Sequence, residues 1–144
     1  MTTGAFVSII VLAVGFFWLD QWSKRALRVR LTGRSVCWGG VLRLRAVTHV
    51  ERFYRRTSAR VALVIMWCGA LASAIVLYRF HAWFHSPVAA LGLGLALAGA
   101  AGNLTDILYR RAIVNFIDVG WWPVFNLADV GIVAGLIAAF LARA

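Results

Sequence analysis

The chain has 144 residues, of which 62% are hydrophobic and only 14% charged, and its formal net charge is +10. Soluble domains have about 45–50% apolar and about 25% charged residues, so the composition excludes a soluble enzyme, a disordered chain and a large extramembrane domain. Since about 20 apolar residues cross a bilayer, four spans and their connections account for the whole length. The sequence therefore predicts one integral membrane domain over residues 1–144.

Four apolar stretches predict an all-α membrane protein built as a bundle of four transmembrane helices. The predicted spans cover residues 4–22, 61–78, 87–108 and 124–141, so both chain ends face the same side of the membrane. No basic residue precedes the first stretch and no small-residue cleavage site follows it, which argues against a cleaved secretory signal. Small residues along the third and fourth stretches predict close helix packing.

The connection between the first two spans, residues 23–60, holds eleven of the fifteen basic residues. Alternation of side-chain types over residues 42–47 has the period of two that is typical of a half-buried strand. We expect a small β-containing loop on the membrane surface, with Trp38 as an interfacial anchor. Three glycines supply turns near this strand: Gly33, Gly39 and Gly40. The basic excess indicates attraction to anionic membrane phospholipid, and no nucleic-acid partner is expected.

The two cysteines, Cys37 and Cys68, do not have the spacing of metal ligands. A disulfide between them is not expected, because Cys68 falls in the middle of a span and Cys37 lies in the polar loop. The sequence therefore predicts neither a metal site nor another cofactor.

Three pairs of polar residues fall at the ends of predicted spans, where a charged side chain in the membrane is costly and indicates a function. These pairs are Asp20 with Lys24, Asn103 with Asp106, and Asn126 with Asp129. Each pair has a simpler explanation: an interfacial i,i+4 ion pair, a polar helix end and a helix N-cap, respectively. In an up-and-down bundle, however, all three helix ends lie at one face, together with Asn115 and Asp118 of the third connection. We expect one polar site beneath the basic loop, where two close carboxyl groups can share a proton and activate water for attack on a peptide bond.

The polar residues resemble the motifs of the lipoprotein signal peptidases (signal peptidase II), which are four-span aspartic peptidases of bacteria. The motif D-Q-x-[ST]-K is similar to residues 20–24, and G-N-L-x-D is similar to residues 102–106. The segments D-F-I-D and P-x-F-N-x-A-D are similar to residues 116–118 and 123–129. The resemblance implies cleavage of signal peptides ahead of the lipid-modified cysteine of lipoprotein precursors. It also implies a monomer in the bacterial inner membrane with its site near the extracytoplasmic face.

The resemblance also assigns roles to individual residues. Asp129 falls on one position of the catalytic aspartate pair, and Asn115, nine residues after Asp106, falls on the other. Supporting or substrate-binding roles fall to the remaining residues: Asp20, Lys24, Asn103, Asp106, Asp118 and Asn126. The sequence departs from the family pattern at Ile107, where an arginine is usual, and over residues 48–56, where the family has an N-x-G-A-A-F stretch.

Asparagine does not titrate, so Asn115 cannot act as a general base or share a proton with Asp129. Three explanations are open: a substitution introduced into a working peptidase, a relative that binds without cleaving, or transfer of the acid role to Asp118. The last requires Asp118 to reach the site, although three residues along an extended segment it points to the opposite face.

Two functions from different classes follow. One is an aspartic endopeptidase, and the other is a non-cleaving or altered relative that binds a lipidated peptide or another amphiphile in the same site. A small transporter or pore would require polar residues along the length of a helix. The positive-inside rule places the basic loop in the cytoplasm, whereas the family resemblance places it outside, so the orientation is open.

Overall fold

The computed structural model describes residues 3–31, 34–38, 42–49, 56–79 and 86–142. Its elements in chain order are α1 (Thr3–Arg30), β1 (Ser35–Trp38), β2 (Leu42–His49), α2 (Thr57–Arg79), α3 (Pro87–Arg110), β3 (Ile113–Asp118) and α4 (Leu127–Leu141). The predicted helical membrane bundle with a small β-containing surface region is confirmed. Gly33, Gly39 and Gly40, most of residues 48–56 and the side chain of Trp38 lie outside the described residues.

The helices differ in length. By length and composition α1, α2 and α3 are each sufficient to cross a membrane, whereas α4 has 15 residues and is apolar but shorter. At about 1.5 Å per residue, α4 rises about 22 Å, less than the roughly 30 Å of a hydrocarbon core. The span predicted over residues 124–141 thus includes α4 and the end of the non-helical segment before it.

Helix α1 extends beyond residue 22, where the first predicted span ends. The helix continues to Arg30, because residues 23–30 include good helix formers such as Lys24 and Ala26 and contain no glycine or proline. Hydropathy marks the membrane-embedded part of a helix and not its end. The fourth helix begins at Leu127 instead of residue 124, because Asn126 is its N-cap.

Helix α3 is the centre of the bundle, since each of the other three helices packs against it. Its closest partner is α4, and Gly99 shows why: a β-carbon built there would lie 2.5 Å from the carbonyl oxygen of Ala128. Such a distance excludes any side chain, so glycine permits the backbones to approach as small residues do in membrane bundles. The predicted close packing of the third and fourth helices is thus observed.

The three strands form one antiparallel sheet in the order β1, β2, β3. The predicted strand lies within β2, while the extended segment 113–118 forms the third strand, which the sequence analysis did not assign to the sheet. Arg43 pairs with Asp118 and Val47 pairs with Asn115, with an irregularity between Leu44 and Val47. The sheet therefore places the third connection, which carries Asn115, directly against the basic loop.

Side chains alternate along β3. Val114, Phe116 and Asp118 are buried on one face, while Asn115 points to the other. This alternation is what the period of an extended strand requires. Asp118 and Asn115 consequently lie on opposite sides, so the explanation that transfers the acid role to Asp118 has no support in the geometry.

Candidate active site

Lys24 lies fully buried where α1 meets α3. Its Nζ lies 2.8 Å from Asp20 Oδ2 and 3.0 Å from Asp106 Oδ2, and it donates a hydrogen bond of 2.9 Å to Asn103 Oδ1. The three donors of the ammonium group therefore each have an acceptor. The i,i+4 ion pair between Asp20 and Lys24 is present as the simpler explanation requires. Neither side chain is exposed, however, so the pair lies inside the bundle and not at an exposed helix end.

A second cation completes the charge balance around Asp106. The guanidinium of Arg110, one helical turn later on α3, is hydrogen-bonded to Asp106 Oδ1 and donates to Gln21 Oε1 at 3.2 Å. The two buried carboxylates, Asp20 and Asp106, thus face the two cations Lys24 and Arg110. Leaving a buried charge unpaired costs several kcal/mol, so this balance holds α1 and α3 together. The sequence analysis missed Arg110, although its i,i+4 spacing from Asp106 is a signal for such a pair.

Asp20 also connects α1 to the start of α4. Its Oδ1 accepts a 2.8 Å hydrogen bond from the backbone N–H of Ala128, in the first turn of α4. Gly102 allows this approach, since a β-carbon there would lie 2.5 Å from Asp20 Oδ2. A carboxylate at a helix N-terminus is favoured by the unpaired N–H groups of the first turn. Asp20 therefore links three helices.

Asn126 and Asp129 form a capping box at the start of α4. Asn126 Oδ1 accepts from the backbone N–H of Asp129, and Asp129 Oδ2 accepts from the backbone N–H of Asn126, each at 3.0 Å. The capping explanation is therefore correct, but it leaves one carboxylate oxygen unaccounted for. That oxygen, Oδ1, accepts a 2.8 Å bond from Asn103 Nδ2, so Asp129 is held from two directions.

Asn115 is held as an amide. Its Oδ1 accepts a 2.7 Å hydrogen bond from Asn126 Nδ2, and its Nδ2 donates a 2.8 Å bond to the carbonyl oxygen of Val124. An ionised aspartate here would place an acceptor against the Val124 carbonyl. The surrounding atoms thus suit an asparagine or a protonated carboxylic acid.

Asn126 is the residue that joins the remaining groups. Besides Asn115, its Nδ2 lies 3.0 Å from Asn103 Oδ1 and 3.2 Å from the carbonyl oxygen of Val114. Since Asn103 also accepts a hydrogen bond from Lys24 and donates one to Asp129, a continuous set of hydrogen bonds runs from the buried ion pairs to Asn115 and Asp129. Seven of the eight predicted site residues belong to this polar cluster: Asp20, Lys24, Asn103, Asp106, Asn115, Asn126 and Asp129.

Asp118 is the predicted site residue that the structure places elsewhere. Its Oδ2 pairs with Arg45 Nε at 2.5 Å, and its Oδ1 accepts a 2.9 Å bond from the backbone N–H of Gly120. The Gly120 hydrogen bond, and secondly Arg45, lower the pKa of Asp118 below its ordinary value. This carboxylate fastens β3 to β2 and to the following turn, a role that its motif did not indicate.

The described part of the chain contains no set of side chains suited to binding a metal ion. No group of three or more histidine, cysteine or acidic side chains there could hold an ion, and Cys37 and Cys68 are free and exposed. At the end of the cluster away from Lys24, the Asp129 carboxylate and the Asn115 amide are both hydrogen-bonded to Asn126.

Comparison with known proteins gives one consistent family. The family model described as Signal peptidase (SPase) II matches residues 12–143. A protein named lipoprotein signal peptidase from Rhodococcus jostii is 39% identical over 113 residues, which is 73% of this chain and 56% of that protein. Proteins of the same name from Syntrophomonas wolfei and Mycobacterium tuberculosis are 50% identical over 62 residues and 52% identical over 58 residues. These two matches cover 43% and 36% of this chain, and 41% and 29% of those proteins. The chain therefore spans little more than half of the first relative.

Two solved structures, both described as bacterial membrane enzymes, share the fold. Their TM-scores are 0.79 and 0.78, each at 22% identity and covering 94% of this chain. The match covers 91% and 86% of those chains. At this level of identity the likeness concerns the arrangement of helices and strands.

Proposed function

The chain belongs to the signal peptidase II family, and from this premise we propose that it binds lipoprotein precursors at the polar cluster without cleaving them. The single observation that carries the proposal is the hydrogen-bonding of Asn115, whose amide donates to Val124 and accepts from Asn126. The position that would supply the second acid of an aspartate pair is thereby filled by a group that holds no exchangeable acid proton.

Aspartic peptidases require two carboxyl groups in different protonation states. One ionised carboxylate accepts a proton from the attacking water, and one protonated acid donates to the scissile carbonyl. Asp129 can serve as the first group, but Asn115 neither titrates nor shares a proton. Since general acid–base catalysis contributes about 10²- to 10⁴-fold, and members of a pair act together, the substitution removes most of the chemistry.

The rest of the polar cluster is compatible with recognition of the family's ligand. The buried pairs around Lys24 and the three asparagines need no carboxylate at position 115 to stay connected. We therefore propose that the ligand is the lipidated region of a precursor peptide or lipoprotein, bound by one copy of this chain in the membrane. No nucleic acid takes part.

A second candidate function is slow cleavage in which Asp129 is the one carboxylate that activates the water. The observation that favours it is the Asn115 amide, which can donate a hydrogen bond to a carbonyl oxygen as oxyanion-stabilising side chains do. In this case Asp129 alone activates the water. Both candidates retain the same ligand, and they differ only in whether a signal peptide is released.

The test is to reconstitute the chain and its Asn115→Asp variant in liposomes with a diacylated lipoprotein precursor. Released signal peptide is followed on gels, and precursor binding is followed by co-purification. We expect binding by both proteins, release by Asn115→Asp alone, and loss of that release when Asp129→Asn is added. Release by the unaltered chain would establish the second candidate, and absence of binding by both proteins would refute the shared ligand.

The orientation of the site is part of the proposal. The apolar helices and the family match together indicate a bacterial membrane protein. We propose that the end of the bundle that carries the polar cluster and the sheet faces the extracytoplasmic side of the inner membrane. The support is the family's arrangement, in which both termini are cytoplasmic. The basic residues of α1 and the sheet then lie at the outer surface, where they can contact anionic headgroups.

A further inference from the structure

We infer that the space between α1 and α2 holds a second binding site, for an anionic phospholipid, which adjoins the polar cluster but does not include Asp129. The first observation is a groove of about 870 Å³ between α1 and α2, with α3 as its floor. The groove exists because α1 and α2 each pack against α3 and leave space between themselves. Its volume lies in the range of about 300–1,000 Å³ that is typical of small-molecule sites.

The groove runs along most of the depth of the bundle. Its walls are almost entirely apolar side chains, from Phe6 near the start of α1 to Trp18 just past the middle of that helix, and from Ala90 to Ala101 along α3. The indole N–H of Trp67 donates to the carbonyl oxygen of Leu97 at 3.2 Å and fixes the α2 wall to the floor. A channel of this shape and polarity suits an acyl chain.

A second pocket, of about 480 Å³, continues the groove at the end nearer the polar cluster. The two share Phe17 and Trp18, and the pocket adds the side chains of Arg25, Arg110, Trp22 and Tyr109. Trp18, Trp22 and Tyr109 are 65%, 65% and 85% exposed. Tryptophan and tyrosine in this position are typical of the headgroup level of a membrane.

The two arginines give the pocket its charge. Arg110 uses Nη1 for Asp106 and Gln21, which leaves the other nitrogens of its planar guanidinium group for a ligand. Arg25 is exposed and forms no ion pair with any residue in the described ranges. Together they can bind a phosphate, since guanidinium groups match its geometry.

Charge distinguishes an anionic phospholipid from the other membrane molecules that could fill the groove. The far end of the groove carries Arg79, which would repel the basic n-region of a signal peptide. The acyl chains of a lipid-modified cysteine bring no negative charge to Arg25 and Arg110. A phospholipid with a net negative headgroup satisfies both the apolar groove and the basic pocket, as at other basic pockets between membrane helices.

The headgroup arm of the test uses native mass spectrometry of the detergent-purified chain with dioleoyl phosphatidylglycerol. Dioleoyl phosphatidylcholine and inorganic phosphate are the comparison ligands. We expect one retained phosphatidylglycerol per chain, weaker retention of phosphatidylcholine and none of phosphate. Arg25→Gln should weaken the binding of phosphatidylglycerol about fivefold, since each basic residue near a membrane surface contributes about 1 kcal/mol. The matched control is Arg30→Gln, which removes the same charge from an exposed position on α1 outside the pocket and should bind normally.

The acyl-chain arm uses Ala13→Phe, which fills the groove from α1. Its control is Ala70→Phe, an exposed position of α2 outside the groove. Loss of phosphatidylglycerol in Ala13→Phe but not in Ala70→Phe supports the inference. Equal retention of the two lipids, equal effects of Arg25→Gln and Arg30→Gln, or binding of phosphate as strongly as phosphatidylglycerol would overturn it.

Discussion

The side chain of Asn126 donates a 2.7 Å hydrogen bond to Oδ1 of Asn115. Because Asn126 is also the N-cap of α4 and closes a capping box with Asp129, one residue holds both Asn115 and Asp129. Single substitutions at Asn115 or Asp129 therefore test what this connection does.

The first prediction concerns stability of Asn115→Asp as a function of pH. Since Asn115 Nδ2 donates to the carbonyl oxygen of Val124 at 2.8 Å, an aspartate keeps this bond only in its protonated form. Folding then favours the protonated acid, and stability relative to the unaltered chain falls as pH rises above the ordinary aspartate value of about 3.9. The expected loss near neutral pH is about 1 kcal/mol, the lower end of the cost of an unsatisfied hydrogen-bonding group, because Asn115 is only partly buried. Thermal unfolding of both proteins between pH 4 and pH 8 measures it.

A constant difference between the two melting temperatures over this pH range would contradict the interpretation of the Val124 bond. Asn115→Ser provides a control, because serine removes the amide without introducing a titratable group. Its melting temperature should differ from that of the unaltered chain by an amount that does not depend on pH.

The second prediction concerns the buried ammonium of Lys24. Lys24→Met keeps the length of the side chain but leaves the carboxylates Asp20 and Asp106 with Arg110 as their one cation in the described structure. Breaking a buried ion pair by removing one partner costs about 3–5 kcal/mol. Denaturant unfolding in detergent should show this loss.

Two further variants separate the charge effect from packing. Arg30→Met removes an exposed charge from the same helix and should change stability by less than about 0.5 kcal/mol. Adding Asp20→Asn to Lys24→Met removes the excess negative charge and should restore part of the loss. Additive effects of the two substitutions would show that Lys24 and Asp20 are not coupled.

Sequence reasoning located most of this cluster because its residues occur in short, specific spacings at helix ends. It did not reveal the burial of Lys24, which depends on Asn103 and Asp106 from a helix about 80 residues away along the chain. It also did not assign β3 to the sheet, because the pairing of Val47 with Asn115 is a long-range contact. The i,i+4 spacing of Arg110 from Asp106 is a local signal for their ion pair, whereas the arginine of the family motif would stand at position 107.

The third prediction concerns Gly102. A β-carbon there would lie 2.5 Å from Asp20 Oδ2 and 3.6 Å from the Ala128 β-carbon, so Gly102→Ala must displace the carboxylate that joins three helices. We expect a loss of about 1–3 kcal/mol, as for other overpacked sites, measured by thermal unfolding. Gly69→Ala is the matched control, because nothing lies within 4 Å of its added carbon. That variant should be neutral or more stable, since alanine is the better helix former.

The fourth prediction concerns Asp118, whose pKa is lowered first by the Gly120 backbone hydrogen bond and then by Arg45. A lowered folded-state pKa gives stability that is fully present above the ordinary value of about 3.9 and is lost as pH falls through the folded value. The difference in melting temperature between the unaltered chain and Asp118→Asn should therefore stay constant from pH 5 to pH 8 and shrink below pH 4. In the Asn115→Asp background, Asp118→Asn should leave any cleavage intact. Loss of cleavage in this double variant would show that Asp118 takes part in the reaction.

The fifth prediction concerns the side of the membrane on which the sheet lies. Cys37 is exposed on β1, which pairs with β2 beside the strand that carries Asn115, and Cys68 lies within the apolar helix α2. If the site end is extracytoplasmic, a membrane-impermeant maleimide added to intact spheroplasts should label the chain, and Cys37→Ser should abolish the label. Cys68→Ser serves as the control and should label normally, because the reagent does not reach a thiol in the hydrocarbon region. Labelling of Cys37 only after the membrane is permeabilised would instead place the basic loop inside, as the distribution of its arginines by the positive-inside rule requires.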